Sequence, residues 1–160
     1  MSPKAAPTRS SQQIGWREMV GLPRIGIDRI KAKIDTGART SALHAEKMRI
    51  DADDPQIIHF EVPLKAEKRR IQCSARLVGV RAIKNTSGKP ENRYIIATRL
   101  VMGERRWLIE VSLADRSNMG FDLILGRTAI VRRGITVDPG HSFLAGEPVG
   151  PQPVHPTMPK

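Results

Sequence analysis

A single cysteine, Cys73, stands in 160 residues, so no internal disulfide can staple the fold. Aromatic side chains make up only 4% of the chain, which leaves Val, Ile and Leu to fill most of the core. No apolar run reaches the roughly 20 residues that a membrane-spanning helix needs. Met1 to Gln13 is polar and lacks an apolar signal core, so no secretory signal is read there. Together these absences point to a cytoplasmic protein without a membrane segment. There is no His-Glu-x-x-His, and the histidines His44, His59, His141 and His155 are scattered. A site assembled from His44, Cys73 and a carboxylate has no support in the spacing. No glycine-rich loop ends in Lys-Ser/Thr, so ATP binding has no support either. The expectation is no metal and no cofactor. No nucleophile elbow surrounds Ser41 or Cys73, which weakens a serine or cysteine hydrolase.

What the chain does carry is charge. The formal net charge is +11, and residues 61–106 hold 12 Lys+Arg against 4 Asp+Glu, so the excess sits in the middle third. That surface suits an anionic partner such as an acidic peptide. Nucleic acid is the weaker reading, because no nucleic-acid motif is present and only Tyr94 and Trp107 stand nearby for stacking.

The organisation reads as mainly β. A polar N-terminal tail (1–13) precedes one domain (14–146), and a proline-rich flexible tail (147–160) follows it. Strands are expected at Ile14–Leu22, Asp28–Ile34, Lys47–Ile50, Ile57–Val62, Arg70–Ile83, Tyr94–Met102 and Arg106–Leu113. Asp51 to Pro55 has strong turn chemistry between the third and fourth of these. Lys84 to Asn92 is a polar connection between Arg70–Ile83 and its partner. Thr128 to Arg133 predicts one or two helical turns. Short strands at this spacing predict a small, partly closed β-barrel with one short C-terminal helix.

Two segments carry chemistry. Ile30-Lys31-Ala32-Lys33-Ile34 alternates, with Ile30, Ala32 and Ile34 on one face. It runs into Asp35-Thr36-Gly37-Ala38, which places a carboxylate on a tight turn at the mouth of a sheet. Gly37 lets the backbone bend toward that carboxylate. Alone, this is also what an ordinary strand-to-turn junction looks like. The second segment is Phe121 to Ala129, where Phe121, Leu123, Ile124 and Leu125 form an apolar run ending at Gly126-Arg127.

Asp-Thr-Gly-Ala early and apolar-Leu-Gly-Arg late resemble a retropepsin, the single-lobed homodimeric aspartic protease. Lys33 to Ala45, Asp115 to Met119 and Val137 to Gly140 resemble a bacterial retropepsin-like family often labelled "ATP-dependent zinc protease". The resemblance runs from Ile14 to Gly146 in order. It implies an acid-protease barrel, an aspartic endopeptidase, and Asp35 as catalytic acid/base. The chain holds one Asp-Thr-Gly, half of a two-carboxylate site, so Asp35 must meet its symmetry mate in a homodimer. Thr36 would tie the two loops across the axis, and Gly37 and Ala38 complete the active-site loop. Gly126 would let the last strand pass closely behind that loop, and Arg127 would anchor loop and dimer. Arg39 stands where viral enzymes commonly carry an acid. It is a candidate for tuning the dyad or contacting substrate, or else a partner for Asp115 or Asp122. His44, characteristic of the bacterial group, either binds peptide or packs as a structural histidine, and the latter is preferred. The hairpin Arg76 to Arg99, with Gly88 near its tip, is the flap candidate, and its basic tip favours acidic substrates. The alternative function is a non-catalytic accessory module that binds an acidic partner, such as an ATP-grasp glutamate ligase or its ribosomal-protein substrate.

Overall fold

Residues 11–85, 87–116 and 120–151 are described by the computed structural model of the chain. Residues 1–10 and 152–160 of the two expected tails lie outside the described residues. So do Thr86 of the polar connection and Ser117, Asn118 and Met119 of the quoted motif.

The strands are β1 (Gln12–Gly15), β2 (Arg17–Leu22), β3 (Ile27–Asp35), β4 (Ser41–His44), β5 (Glu46–Ile50), β6 (Ile57–Leu64), β7 (Arg69–Lys84), β8 (Pro90–Met102), β9 (Arg105–Ala114), β10 (Leu123–Gly126) and β11 (Ile135–Asp138). Hydrogen bonding runs β2-β3-β10-β4-β9-β8, and β8 returns to β2 through Val20 opposite Met102 and Gly21 opposite Val101. The mainly β expectation therefore holds, and the barrel is a closed ring of six strands. The strands β7, β6 and β5 extend from β8 as an arm.

Side chains pointing into the ring form the core. Ile30, Ala32 and Ile34 of β3 are buried, and so are the alternating Trp107, Ile109, Val111 and Leu113 of β9. Leu43, Leu123 and Leu125 fill the space between them. Each such leucine contributes about 1.5–3 kcal/mol by leaving water. Trp107 contributes area at the barrel wall and donates its indole N–H to the Ala129 carbonyl at 2.7 Å.

Three expectations needed correction. Ile14–Leu22 is not one strand. It breaks at Trp16, whose N–H leaves the ladder for the His141 carbonyl at 2.9 Å. Before the break, β1 pairs in parallel with β11, which the sequence did not announce. The expected helix at Thr128–Arg133 is one 3-10 turn, Arg127–Ala129, with no side-chain cap. Arg132 and Gly134 then take positive φ (63° and 67°), and the chain bends away into β11. The four-residue strand β4 was also unforeseen. It runs parallel to β9 and antiparallel to β10, so β10 lies between β3 and β4.

A buried carboxylate fastens the last described segment. Glu18 is fully buried in β2 and accepts N–H bonds from Gly15 (2.6 Å), Leu144 (2.8 Å) and Ala145 (3.0 Å). Further on, Glu147 pairs with Arg29, and the N–H groups of Val149 and Gly150 reach the Gly103 carbonyl. No helix among the described residues is long and apolar enough to cross a membrane.

Candidate active site

Asp35 is the last residue of β3 and is half-buried. Alternation puts Ile34 into the core, so Asp35 turns toward the barrel mouth. Its Oδ1 accepts the N–H groups of Gly37 at 3.1 Å and Ala38 at 3.2 Å. The Ala38 N–H also reaches the Asp35 carbonyl at 3.1 Å, closing a tight turn. No hydrogen bond among the described residues engages Oδ2. Space at Gly37 is tight, since a Cβ would stand 3.3 Å from Oδ1 and press on the carboxylate. Thr36 is exposed, and its hydroxyl has no hydrogen bond among the described residues.

The parallel pair β3–β10 sets Gly126 opposite Asp35. A Cβ at Gly126 would fall 2.8 Å from the Thr40 carbonyl carbon and 2.9 Å from the Ala38 oxygen. Only glycine fits, because the turn's backbone fills the space. The Gly126 N–H donates to Ser41 Oγ at 3.0 Å, and Ser112 Oγ donates to the Ser41 carbonyl at 2.7 Å. The Arg127 N–H donates to the Ala38 carbonyl at 2.8 Å. The Arg127 side chain does not simply reach solvent: Nη1 lies 3.3 Å from the Gly37 carbonyl oxygen and 3.5 Å from that of Thr36. Thr128 Oγ1 donates to the Arg39 carbonyl at 2.7 Å. The two segments that carried the sequence argument are thus one bonded unit. Ser41 and Ser112, which help to fix it, were missed. Ser112 occupies an outward-phase position of β9 yet is buried, and nothing local signals that.

Arg39 is exposed on the rim of a cavity of about 700 Å³ that begins beside the turn. It pairs with neither Asp115 nor Asp122, so both of those pairings are set aside. Asp115 instead stands near His44 and Glu46.

His44 is not brought to the turn. It lies at the other end of β4, where its N–H meets the Asp122 carbonyl at 2.8 Å. Its ring is 1% exposed. The Arg116 N–H donates to Nδ1 at 2.9 Å, the Ala114 carbonyl oxygen lies 3.3 Å from the same atom, and Nε2 stands 3.1 Å from Glu46 Oε2. His44, Glu46 and Asp115 hold ligand atoms within 4.8 Å of one another. Arg70 already donates to Glu46 Oε1 at 2.9 Å. Arg70 first, and His44 after it, holds the Glu46 carboxyl below the ordinary range. Cys73 is elsewhere, buried in β7, and burial pushes its thiol up to about 12. That thiol is inert as a ligand or nucleophile near neutrality.

Gly88 tops the β7–β8 hairpin at φ +83°, where an added Cβ would meet open space. Asn85 Oδ1 holds the tip by accepting from the N–H groups of Ser87 and Lys89, both at 3.0 Å. Lower down, Arg81 of β7 bridges to Glu110 of β9 at 2.8 Å, which brings the hairpin's shaft over the cavity by Arg39.

A family model described as retropepsin-like aspartic endopeptidase RimB matches residues 13–148. The chain is 38% identical over 137 residues to a probable alpha-L-glutamate ligase of Desulfotalea psychrophila, covering 84% of this chain and 29% of that protein. A protein of the same name from Parasynechococcus marenigrum is 40% identical over 137 residues, again covering 84% and 29%. The chain therefore spans less than a third of the length of these relatives. A crystal structure of a Legionella pneumophila protein of unknown function (DUF785) superposes with a TM-score of 0.73 at 26% identity, covering 85% of this chain and 99% of that one.

Proposed function

Because this chain belongs to the RimB-like family of retropepsin-like aspartic endopeptidases, we propose that two copies of it hydrolyse peptide bonds through a shared Asp35 pair. One observation carries the reading: the Asp35 carboxylate is clamped on Oδ1 by two backbone N–H groups, and Oδ2 has no hydrogen-bond partner among the described residues. A carboxylate fixed on one oxygen and free on the other is prepared to meet a second one.

In the proposed dimer the two carboxylates share one proton. The ionised Asp35 takes a proton from a bound water as the water oxygen bonds to the scissile carbonyl carbon. The protonated mate gives its proton to the carbonyl oxygen, producing a gem-diol. Return of a proton to the amide nitrogen breaks the C–N bond and yields a free carboxyl and a free amine. Thr36, whose hydroxyl has no hydrogen bond among the described residues, would bond across the twofold axis. Gly126 and Arg127 would keep each loop in register, and the hairpin under Gly88 would close over the substrate and exclude water. Arg39, without an ion pair among the described residues, and the basic tip residues Lys84 and Lys89 favour an acidic peptide, and the relatives named as glutamate ligases make glutamate the natural acid.

Two measurements test this. Asp35→Asn should abolish cleavage of acidic peptides while the fold and the dimer persist, read by sedimentation and circular dichroism. Deleting 85–91 should abolish turnover but spare the dimer. Full cleavage by Asp35→Asn would remove the Asp35 pair from the reaction.

The second reading is an accessory module acting on an ATP-grasp glutamate ligase or its ribosomal-protein substrate. It is favoured by relatives that carry this domain within polypeptides more than three times as long. Pull-down of a ligase that is indifferent to Asp35→Asn would favour it.

A further inference from the structure

The cavity of about 700 Å³ beside the catalytic turn has an unusual wall. It is lined by Arg39, four residues past Asp35 and without an ion pair among the described residues, and by Arg81, on the hairpin proposed as the flap. Arg81 is not free: Glu110 of β9 pairs with it at 2.8 Å. Ile83 and Leu108 add apolar lining, and Thr128 adds a hydroxyl. Such a cavity suits a carboxylate on a short aliphatic stem. Glu110 presents that very group to Arg81 from within the chain.

We propose that Arg39 and Arg81 form an acidic-side-chain subsite of the cleft and that Glu110 is its built-in competitor, displaced when a glutamate of the substrate enters. This rests on the peptide-binding reading above and deepens it by naming which residues select the acid and what they release. Displacement is feasible because the pair is open to water, with Arg81 49% and Glu110 46% exposed. Ion pairs this exposed hold weakly and are outcompeted by an incoming carboxylate that also meets a second guanidinium. A neutral side chain leaves the Arg81–Glu110 pair closed and gains nothing from Arg39. Selectivity therefore arises from exchange of one carboxylate for another, and the flap shaft is freed from β9 as the subsite fills.

The test uses the full chain carrying Asp35→Asn, so that bound peptide is not cut. Two fluorescent dodecapeptides are compared by anisotropy, one of alternating Ser-Glu and one of alternating Ser-Gln. Glu110→Gln should tighten the Ser-Glu peptide about two- to fivefold and leave the Ser-Gln peptide unmoved. Arg39→Gln should weaken the Ser-Glu peptide about tenfold and shrink the preference between the peptides. Arg81→Gln should cost more in the Glu110→Gln background than alone, because Glu110 no longer occupies it. Glu110→Gln shifting both peptides equally, shifting neither, or finding no saturable Ser-Glu binding overturns the inference. Cleavage by the unmodified chain is read separately. Correct discrimination without any cleavage would fail the protease reading and leave the subsite standing. Cleavage with no Glu/Gln discrimination would do the reverse.

Discussion

The two ends of the proposed cleft are built on opposite terms. The turn proposed to be catalytic, Asp35 to Ser41, is bonded to two other segments: Gly126, Arg127 and Thr128 reach it from one side, and Ser112 holds it from another. The hairpin tip, Asn85 to Lys89, is bonded to itself, through Asn85 Oδ1 and through Gly88 N–H to the Asn85 carbonyl at 2.9 Å. A group that must hold its geometry to a few tenths of an ångström is cross-braced by long-range contacts. A group that must open and close keeps its bonds local, so that it moves as a piece. Position in the fold thus divides the residues into those whose loss costs stability and those whose loss costs turnover.

The sharpest way to break that division is Gly126→Ala. The new Cβ would collide with backbone atoms at 2.8–2.9 Å, and none of them ends a flexible side chain. The expected cost is about 2–4 kcal/mol in denaturant unfolding, with activity lost in the remaining folded protein. A cost under about 0.5 kcal/mol would mean that the turn yields freely and is not braced. Ser41→Ala comes next. It strips the buried Gly126 N–H of its acceptor, for about 1–3 kcal/mol. Asp35→Asn should cost far less stability than either, because its backbone bonds to Oδ1 survive the change.

The arm strand β7, where Cys73 faces Phe60 of β6, supplies a test by pH. Cys73 is buried in β7, and its thiol is raised from 9.0 to about 12. A folded state that holds a proton more tightly than the unfolded one is stabilised fully below the unfolded value. That stability is lost as pH rises from about 9 to about 12. Cys73→Ala should flatten the alkaline fall of unfolding free energy across that window and leave the pH 6–8 plateau level. An unchanged alkaline slope would show that the thiol reaches water and that the β6–β7 part of the arm is as open as the hairpin tip.

Legibility in the sequence followed the same division, though not for the same reason. Asp35 to Ala38 and Leu123 to Gly126 were readable because each is a short run whose residue types impose its own turn or strand. The hairpins β5–β6, β7–β8 and β8–β9 were readable because alternation and turn residues lie within a few positions of each other. The β1–β11 pair was not, since it joins residues more than 120 positions apart with no periodic signal in either. β4 was hidden because all four of its residues, polar Ser41 and His44 included, are buried, which erases alternation. Nothing in the sequence marks Glu18, and only the folded chain reveals the three N–H groups that keep it inside. Arg81 and Glu110 lie 29 positions apart, and only the fold over β8 brings them together.

The smallest expected effect decides whether the tip is a cover or an ornament. Gly88→Ala puts a side chain at φ +83°, which costs about 1 kcal/mol in local strain but meets no neighbour. If the tip is energetically separate from the barrel, the tip absorbs that strain by opening, and the global unfolding midpoint hardly moves. Turnover of an acidic peptide, in contrast, should fall several-fold, because the closed hairpin is the state being penalised. A clear drop in the midpoint together with unchanged turnover would invert the comparison. It would make the hairpin part of the braced body and require another segment to shield the two carboxylates from bulk water.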